Sequence, residues 1–500
     1  MSNPFKQLAG ETAIYGMSTI LARIVNFLLV PLYTRVLIKS DYGVVTEFMA
    51  YIAIFQVILS LGLETGCFRF ASKEGTKQKE VFSNAFVTVF ALGVAFFSLL
   101  LVFSDPISTG LGYEGFSNVI IYVGAILAID SCSAILFAKQ RYEHKAVKFA
   151  VIKTLKIFTE IGVNLVLYLS MPSYFATHSQ SWLLKFVSAT PDFSYAIFAV
   201  FVSCLLCLVL LIPDLIKLTF KFDKKLWKSL MIYSLPLMVA GLPGVMNDFL
   251  DRILMRFINV DTIMWRADLG EYQAGVKIAV IMSLFIQMFR YAAEPFFFQR
   301  QKQSDSRIIY AKVMNYFVAF CMFVFLAVIL YIDVIGLILG KNFRAGLSIA
   351  PIMLMAYVVL GMLFNINMWY KLSGMTKYAI YITLSGLVVT IVINLIFMPL
   401  YSYHAAAWAH LASYLVMFLF SLFLGRKYFP ISYEWDKILI FIVLGLSIYG
   451  ISLLLPDMGL WLKMAVHSLL IMVYLGTVLA MFKAEKKREA LCGSEKEKDI

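Results

Sequence analysis

Long runs of apolar residues, separated by short polar breaks, recur along the chain from Ala13 to Met481. Most of these runs are about 20 residues long, which is the length that a helix needs to cross a hydrocarbon core of about 30 Å. The pattern therefore predicts an all-α polytopic membrane protein with about fourteen transmembrane helices. The predicted spans are 12–37, 42–62, 81–104, 117–137, 147–170, 195–213, 228–258, 271–296, 311–332, 346–369, 377–400, 404–425, 437–455 and 459–482.

The polar connections between these spans alternate sharply in charge. Connections on one side, together with the two ends of the chain, carry 29 Lys and Arg residues, whereas those on the other side carry five. Basic loops of membrane proteins stay in the cytoplasm, so both termini are predicted to be cytoplasmic. The net charge of +13 then reflects the orientation of the chain in the membrane, and the basic loops attract anionic membrane lipids. It does not indicate nucleic-acid binding.

The sequence lacks the motifs of an ATP-driven pump or a metalloenzyme. It contains no G-x-x-x-x-G-K-[ST] loop and no H-E-x-x-H, and its five histidines are scattered. No loop is long enough for a folded domain outside the membrane. We therefore predict a transport protein that is not an enzyme and that holds no metal or cofactor.

Two of the predicted spans share a local pattern. The first contains "AIYGMSTILARIVNFLLVPLYTRVL" and the seventh contains "MIYSLPLMVAGLPGVMNDFLDRILMRF". Each begins with Ile-Tyr, has an Asn near its middle, and precedes a span that opens with an acidic residue and Tyr. Chance similarity between two apolar helices is the alternative to a repeat. A true repeat six spans apart would be parallel, with halves related by a pseudo-two-fold axis along the membrane normal.

The repeat predicts two six-helix bundles with a substrate path between them. The domains would be an N-terminal bundle at 1–213, a C-terminal bundle at 214–425, two extra transmembrane helices at 426–482, and a charged cytoplasmic tail at 483–500.

The stretch "SDYGVVTEFMAYIAIFQVILSLGLETGCFRF", preceded by a span with Arg23 and Asn26, resembles the start of bacterial polysaccharide flippases. These proteins translocate lipid-linked O-antigen and capsule oligosaccharides, and their superfamily includes multidrug exporters and the lipid II flippase. The span count, the two-bundle repeat and the chain length match this family over essentially the whole chain.

The resemblance implies a cargo and a mechanism. Two bundles in the bacterial inner membrane would alternate between inward-open and outward-open states. They would move an undecaprenyl diphosphate-linked oligosaccharide from the cytoplasmic to the periplasmic leaflet, driven by a gradient of H⁺ or Na⁺. Other polysaccharide assembly proteins would be candidate partners. A cation-coupled multidrug exporter of the same fold is the alternative function.

Charged side chains inside the spans are the candidate functional residues, because each costs at least about 2.5–3.5 kcal/mol near the bilayer centre unless it faces protein or water. Cations that could bind the lipid diphosphate or an acidic sugar are Arg23, Lys156, Arg252 and Arg290. Candidate gate or ion-coupling residues are Glu47, Lys277, Asp248, Asp251, Glu160 and Asp130.

Several of these residues have a structural alternative. Arg23 could pair with an acid on a neighbouring helix instead of binding cargo, and structural pairing is the favoured role of Asp130. Lys156 and Glu160 are four residues apart, so they could pair locally or line a polar cavity. Arg290 and Glu294 have the same spacing and could be a lid pair.

Span 7 concentrates Asp248, Asp251, Arg252 and Arg256 in its outer half. These charges could be ion-paired within their own bundle. Alternatively, they belong to a moving cavity wall, because the prolines and glycines that precede them permit a kink. Arg256 is expected at the membrane interface.

Glu47 and Lys277 occupy equivalent positions in the repeat, each five residues after a Tyr. We predict that they face each other across the outer mouth and close it as a salt bridge.

Overall fold

The computed structural model describes the chain at 16–17, 20–21, 24–72, 77–178, 181–186, 188–258, 264–300, 303, 306–456 and 458–496. Helices and short helical turns are the only regular structure in these ranges. The helices of the first half are α1 (Leu29–Val36), α2 (Lys39–Ser60), α3 (Leu63–Ala71), α4 (Gln78–Val102), α5 (Ser104–Gly110), α6 (Ser117–Tyr142), α7 (Ala146–Leu165), α8 (Met171–Thr177) and α9 (Phe193–Leu215).

The second half continues in the same way. Its helices are α10 (Lys224–Ile258), α11 (Trp265–Arg300), α12 (Ser306–Leu330), α13 (Ile332–Ile335), α14 (Ala350–Ile366), α15 (Met368–Leu372), α16 (Tyr378–Tyr401), α17 (Tyr403–Tyr428), α18 (Trp435–Leu453) and α19 (Leu460–Lys496). A π-helical turn at Val166–Ser170 joins α7 to α8. Three 3₁₀ turns lie at Trp182–Lys185, Gly336–Ile338 and Lys341–Ile349.

Within the described residues, twelve helices are long and apolar enough to cross a membrane. The predicted count of fourteen is therefore not confirmed. Predicted span 1 lies partly outside the described residues, and the apolar helix recorded there is Ile24–Val36. Predicted span 5 forms helix α7, but its four charged residues set it apart from the twelve apolar helices.

Following the predicted bundles, we name α1 to α9 the N-lobe and α10 to α19 the C-lobe. Helices α4, α6, α7 and α9 pack against one another, and so do α14, α16 and α17. Contacts between the groups are concentrated where α2, α3 and α4 meet α10 and α11. The division follows the predicted bundles, whose boundaries stay a prediction.

Helix α10 contacts both lobes. Near its start, the Arg69 guanidinium of α3 lies 4.2 Å from the centre of the Tyr233 ring. Further along, the side-chain oxygen of Asn247 accepts hydrogen bonds from Thr390 at 2.5 Å and Ser413 at 2.8 Å, both in the C-lobe. Pro236 and Pro243 lie inside the helix between these attachments. Proline removes backbone hydrogen bonds, so the link between the lobes can bend there.

Positions that the predicted repeat matches have similar neighbours in the two lobes. Aligning the two Ile-Tyr starts pairs Tyr33 with Asp251. Tyr33 packs against Tyr42 with ring centres 5.9 Å apart, and Asp251 accepts a hydrogen bond from Tyr272. A second match lies later in each lobe, where the amides of Asn164 and Asn394 both donate at 2.8 Å to the carbonyl four residues earlier.

On the side of the membrane away from the predicted basic loops the lobes are joined by close backbone contacts, and we name it the closed side. The opposite side, which carries most of the predicted basic loops, is the basic side. On the closed side Gly43 of α2 meets the backbone of Arg266, and a Cβ on Gly43 would lie 1.9 Å from the Arg266 carbonyl oxygen. A Cβ on Gly340 would likewise lie 1.8 Å from the Thr34 carbonyl oxygen. Glycine is thus required for the two backbones to approach so closely.

Candidate functional site

A buried ion pair joins the lobes on the closed side. The Glu47 carboxylate of α2 is fully buried and accepts two hydrogen bonds from the Arg256 guanidinium of α10, one of them at 2.8 Å. The hydroxyls of Tyr113 and Tyr51 also donate to Glu47, the latter at 3.2 Å. Trp265 packs on the other side, its ring centre 4.6 Å from the Arg256 guanidinium. We name these five residues the gate cluster.

This geometry corrects one prediction. The cation that pairs with Glu47 is Arg256 and not the predicted Lys277. The ion pair lies in the region where a salt bridge of Glu47 was predicted to close the outer mouth. The repeat matches positions along each helix, but the crossing of α2 and α11 at Gly43 and Gly270 decides which side chains meet. Only 11% of the Arg256 side chain is exposed, so its charge is buried between the lobes.

Further contacts hold the same side together. Lys39 pairs with Glu271, which also accepts a hydrogen bond from Tyr403 at 3.0 Å. The Arg266 guanidinium donates to the carbonyl of Gly112 at 2.9 Å. These groups are more exposed than the gate cluster, so each contributes less to closure.

A second charge cluster lies within the N-lobe. The Lys156 ammonium of α7 is 2.6 Å from the Asp130 carboxylate of α6, and the Cys204 thiol donates to the same oxygen at 3.4 Å. The local pair of Lys156 with Glu160 was one of two alternatives, and the ion pair of Lys156 instead goes to Asp130. About a fifth of the Lys156 side chain and a quarter of the Asp130 side chain stay exposed, so the pair is not sealed. Lys153 lies over the rings of Phe137 and Phe149.

Glu160 extends this cluster toward the other lobe. Its carboxylate lies within electrostatic reach of Lys156, Asp130 and, from α11, Lys277. Within the described part of the chain, no cation lies in ion-pairing distance of the Glu160 carboxylate. Of these three residues Lys277 has the weakest electrostatic effect on Glu160, and it is the one from the other lobe. Arg23, the deepest predicted cation, lies outside the described residues.

Two of the charged residues of predicted span 7, Asp251 and Arg252, form an ion pair inside the C-lobe. Asp251 is fully buried and is 3.2 Å from the guanidinium of Arg252 and 3.2 Å from the His410 imidazole. Tyr272 donates a hydrogen bond to the same carboxylate. Arg252 also donates to the backbone carbonyl of Asp248. These contacts place Arg252 in a structural network rather than in an open binding surface.

Asp248 differs from its neighbours because its side chain borders a cavity of about 330 Å³, which we name the C-lobe cavity. One carboxylate oxygen accepts a hydrogen bond from the Tyr414 hydroxyl at 2.8 Å. Arg290 lies at the other end, 3.6 Å from Glu294. Lys371 makes the shorter contact to Glu294, at 2.6 Å, so the predicted local pair is part of a three-residue group.

Loss of the Asp251 carboxylate should destabilise the C-lobe strongly. Replacing Asp251 by Ala leaves the Arg252 guanidinium, only 7% exposed, without its acid. Breaking a buried ion pair by removing one partner costs about 3–5 kcal/mol. We expect a clear drop in the apparent melting temperature of the purified protein in detergent. Asp248→Ala is the matched control, and it should change the melting temperature little. Equal melting of Asp251→Ala and the wild type would contradict the structural role.

Sequence reasoning missed residues that only tertiary packing brings to the charged groups. They are Tyr51, Tyr113 and Trp265 in the gate cluster, Tyr272 and His410 beside Asp251, and Lys371 beside Glu294. Asn164 and Asn394 each begin an Asn-Leu pair, and a Met-Pro pair follows at different spacings, at Met171 in the first half and at Met398 in the second. In the described residues, no group of three or more His, Cys, Asp or Glu could hold a metal ion.

Comparison with known proteins identifies the family. The family model described as "Polysaccharide biosynthesis protein" matches residues 8–301, which is more than half of the chain. The chain belongs to the polysaccharide biosynthesis protein family. A curated relative, "Lsg locus putative protein 1" of Haemophilus influenzae, is 22% identical over 346 residues. The aligned part covers 67% of this chain and 77% of that relative.

Solved structures share the fold of this polysaccharide biosynthesis family member. The lipid II flippase MurJ in an inward closed conformation superposes with a TM-score of 0.72 at 12% identity, covering 94% of this chain and 99% of that one. An inward-facing multidrug resistance MATE family transporter of the MOP superfamily superposes with a TM-score of 0.61 at 14% identity. That match covers 83% of this chain and 94% of the transporter. At these identities the likeness concerns the fold alone.

Proposed function

We propose that this chain is a flippase for an undecaprenyl diphosphate-linked oligosaccharide in the bacterial inner membrane. It would carry this lipid from the cytoplasmic to the periplasmic leaflet during the synthesis of a surface polysaccharide such as O-antigen or capsule. The observation that carries the proposal is the family match over more than half of the chain. The shared fold with a lipid II flippase supports it.

Alternating access follows from where the lobes touch. The positive-inside rule makes the basic side cytoplasmic and the closed side periplasmic, with both termini in the cytoplasm. Opening to the periplasm then requires separation of Glu47 from Arg256 and of Lys39 from Glu271. Helix α10 is attached to both lobes and interrupted by two prolines, so it is the connection that bends as the lobes rock.

The lipid diphosphate is the most strongly charged part of the cargo, and it needs cations on the path between the lobes. Lys156 and Lys277 both act electrostatically on Glu160, and Lys156 keeps part of its surface accessible. Ammonium groups bind phosphate oxygens as compact positive charges. We therefore assign Lys156 and Lys277 to the diphosphate. We no longer assign Arg252 to the diphosphate, because its guanidinium forms an ion pair with Asp251.

A coupling ion, H⁺ or Na⁺, would need a carboxylate that is not already paired. Glu47 and Asp251 are occupied by Arg256 and Arg252. Glu160 and Asp248 have carboxylate oxygens that are not taken by a cation in the described part of the chain. These two acids are the proposed coupling sites.

Deletion of the gene in its bacterium tests the proposed function. We expect loss of the surface polysaccharide and accumulation of the lipid-linked glycan in the cytoplasmic leaflet, with recovery when the gene is returned on a plasmid. Leaflet location can be measured by the accessibility of the glycan to a membrane-impermeant enzyme in oriented vesicles. Normal polysaccharide together with altered drug sensitivity would overturn the proposal in favour of a multidrug exporter. In that case other polysaccharide assembly proteins would no longer be candidate partners.

A further inference from the structure

The C-lobe cavity has the chemistry of a sugar-binding site. Its volume of about 330 Å³ lies within the range of small-ligand pockets, about 300–1,000 Å³. Five aromatic residues line it, and the rings of three of them, Phe289, Phe364 and Tyr370, can pack against the C–H face of a sugar ring. Such pockets combine apolar and aromatic walls with a few polar groups that fix the ligand's orientation.

The polar groups of the cavity are amides, hydroxyls and opposed charges. Asn247, Asn365 and Asn367 contribute amides, and Tyr414 contributes a hydroxyl. Asn365 is only 6% exposed, and its side-chain oxygen has no hydrogen-bond partner among the described residues. A buried polar atom without a partner costs about 1–3 kcal/mol. A hydroxyl donor from a ligand would remove this cost.

The charges in the cavity exclude other kinds of cargo group. Asp248 at one end would repel a phosphate or diphosphate. Arg290 and Lys371, both beside Glu294, would repel a cationic drug. A neutral polyhydroxylated group can bind side chains of both charges, because hydroxyls donate to carboxylates and accept from guanidinium and ammonium groups.

The cavity adjoins the path assigned to the diphosphate. Asp248 lies one helical turn from Asp251, which Tyr272 contacts. Lys277 follows Tyr272 by five residues on α11, about 8 Å along the helix axis. A diphosphate held near Lys277 would thus have its attached sugar within reach of the Asp248 end.

We propose that the C-lobe cavity binds a saccharide unit of the lipid-linked cargo, with Asn365 and Tyr370 as contacts. This inference rests on the proposed flippase function. It divides recognition between the lobes, because the cations around Glu160 hold the diphosphate while the C-lobe holds the sugar.

Binding of two lipids to the purified full-length protein tests the inference. The probes are undecaprenyl diphosphate and undecaprenyl diphosphate-N-acetylglucosamine, titrated into nanodisc-embedded protein and followed by native mass spectrometry. The wild type should bind the sugar-bearing lipid more tightly than the bare diphosphate. Asn365→Leu, which keeps the branched shape of the side chain but removes its polar atoms, should weaken binding of the sugar-bearing lipid by about ten-fold and leave the bare lipid unchanged. Tyr370→Phe should act in the same direction.

Tyr381→Phe is the matched control, because this tyrosine is 56% exposed on the outside of the C-lobe. It should leave the binding of both lipids unchanged. Equal wild-type affinity for the two lipids would overturn the sugar site while leaving the flippase proposal standing. The same conclusion would follow if the variants weakened the binding of both lipids equally, or of neither. A wild type that binds neither lipid would overturn the flippase proposal and the sugar site with it.

Discussion

Glu47→Ala should open the closed side and reduce surface polysaccharide at least ten-fold, without loss of membrane insertion. Glu47 is fully buried and its loss leaves the Arg256 guanidinium, 11% exposed, without a counter-charge. Removing one member of a buried ion pair costs about 3–5 kcal/mol. The pair forms only when the lobes meet on this side, so the cost falls on the closed state. A cost of that size shifts the equilibrium by on the order of 100-fold or more toward the separated state.

Cysteine labelling can measure this shift directly. Val44 is 2% exposed and lies on α2 close to the gate cluster. A Val44→Cys variant without the six native cysteines should react slowly with a membrane-impermeant maleimide, and much faster when Glu47→Ala is added. Glu47→Gln should fall between the two, because the amide keeps hydrogen-bonding capacity but loses the charge.

The matched control is the neighbouring pair of Lys39 with Glu271. Both residues connect the lobes on the same side, but 36% of the Lys39 side chain is exposed. Exposed pairs contribute about 0–1 kcal/mol, so Lys39→Ala should raise labelling only a few-fold. Slow labelling of Val44→Cys and normal polysaccharide in the Glu47→Ala background would show that the gate cluster does not control access.

The spans could be predicted from the sequence because membrane crossing depends on a local property, the length and apolarity of a single helix. Helix α7 shows where a prediction from apolarity fails. Its apolarity is lowered by four charged residues, Lys148, Lys153, Lys156 and Glu160. A contact with another helix nevertheless pairs Lys156 with Asp130. The candidate charged residues were identified for the same reason. An ionisable side chain in an apolar run is visible without any knowledge of its neighbours.

The partners of those charges could not be predicted from spacing. Glu47 and Arg256 are 209 positions apart, and only the crossing of α2 with the C-lobe brings them together. Helical spacing allowed a local pair of Lys156 with Glu160, but the cross-helix contact to Asp130 forms instead. Spacing restricts which residues share a face of one helix, whereas the partner depends on how two helices pack.

Lys156→Met should abolish transport even when the N-lobe remains folded. The substitution removes a cation from the surface assigned to the diphosphate and leaves Asp130 with the Cys204 thiol as its remaining side-chain contact in the described residues. A structural defect and a cargo defect can be separated with the double variant Asp130→Asn with Lys156→Met. Neutralising both members of an ion pair is often close to neutral for stability, so its melting temperature should return toward wild type.

Transport should not return in that double variant, because the positive charge is still missing, whereas Lys156→Arg should retain most activity. Lys153→Met is the matched control, since this lysine on the same helix lies 4.8 Å from the centre of the Phe137 ring rather than beside an acid. It should leave surface polysaccharide within about two-fold of wild type, as removal of a cation–π contact is a small change of about 0.5–2 kcal/mol. The measurements are surface polysaccharide in the deletion strain, protein abundance in the membrane, and apparent melting temperature. Full polysaccharide in the doubly neutral variant would mean that Lys156 serves only to neutralise Asp130, and the diphosphate would have to be held by other cations.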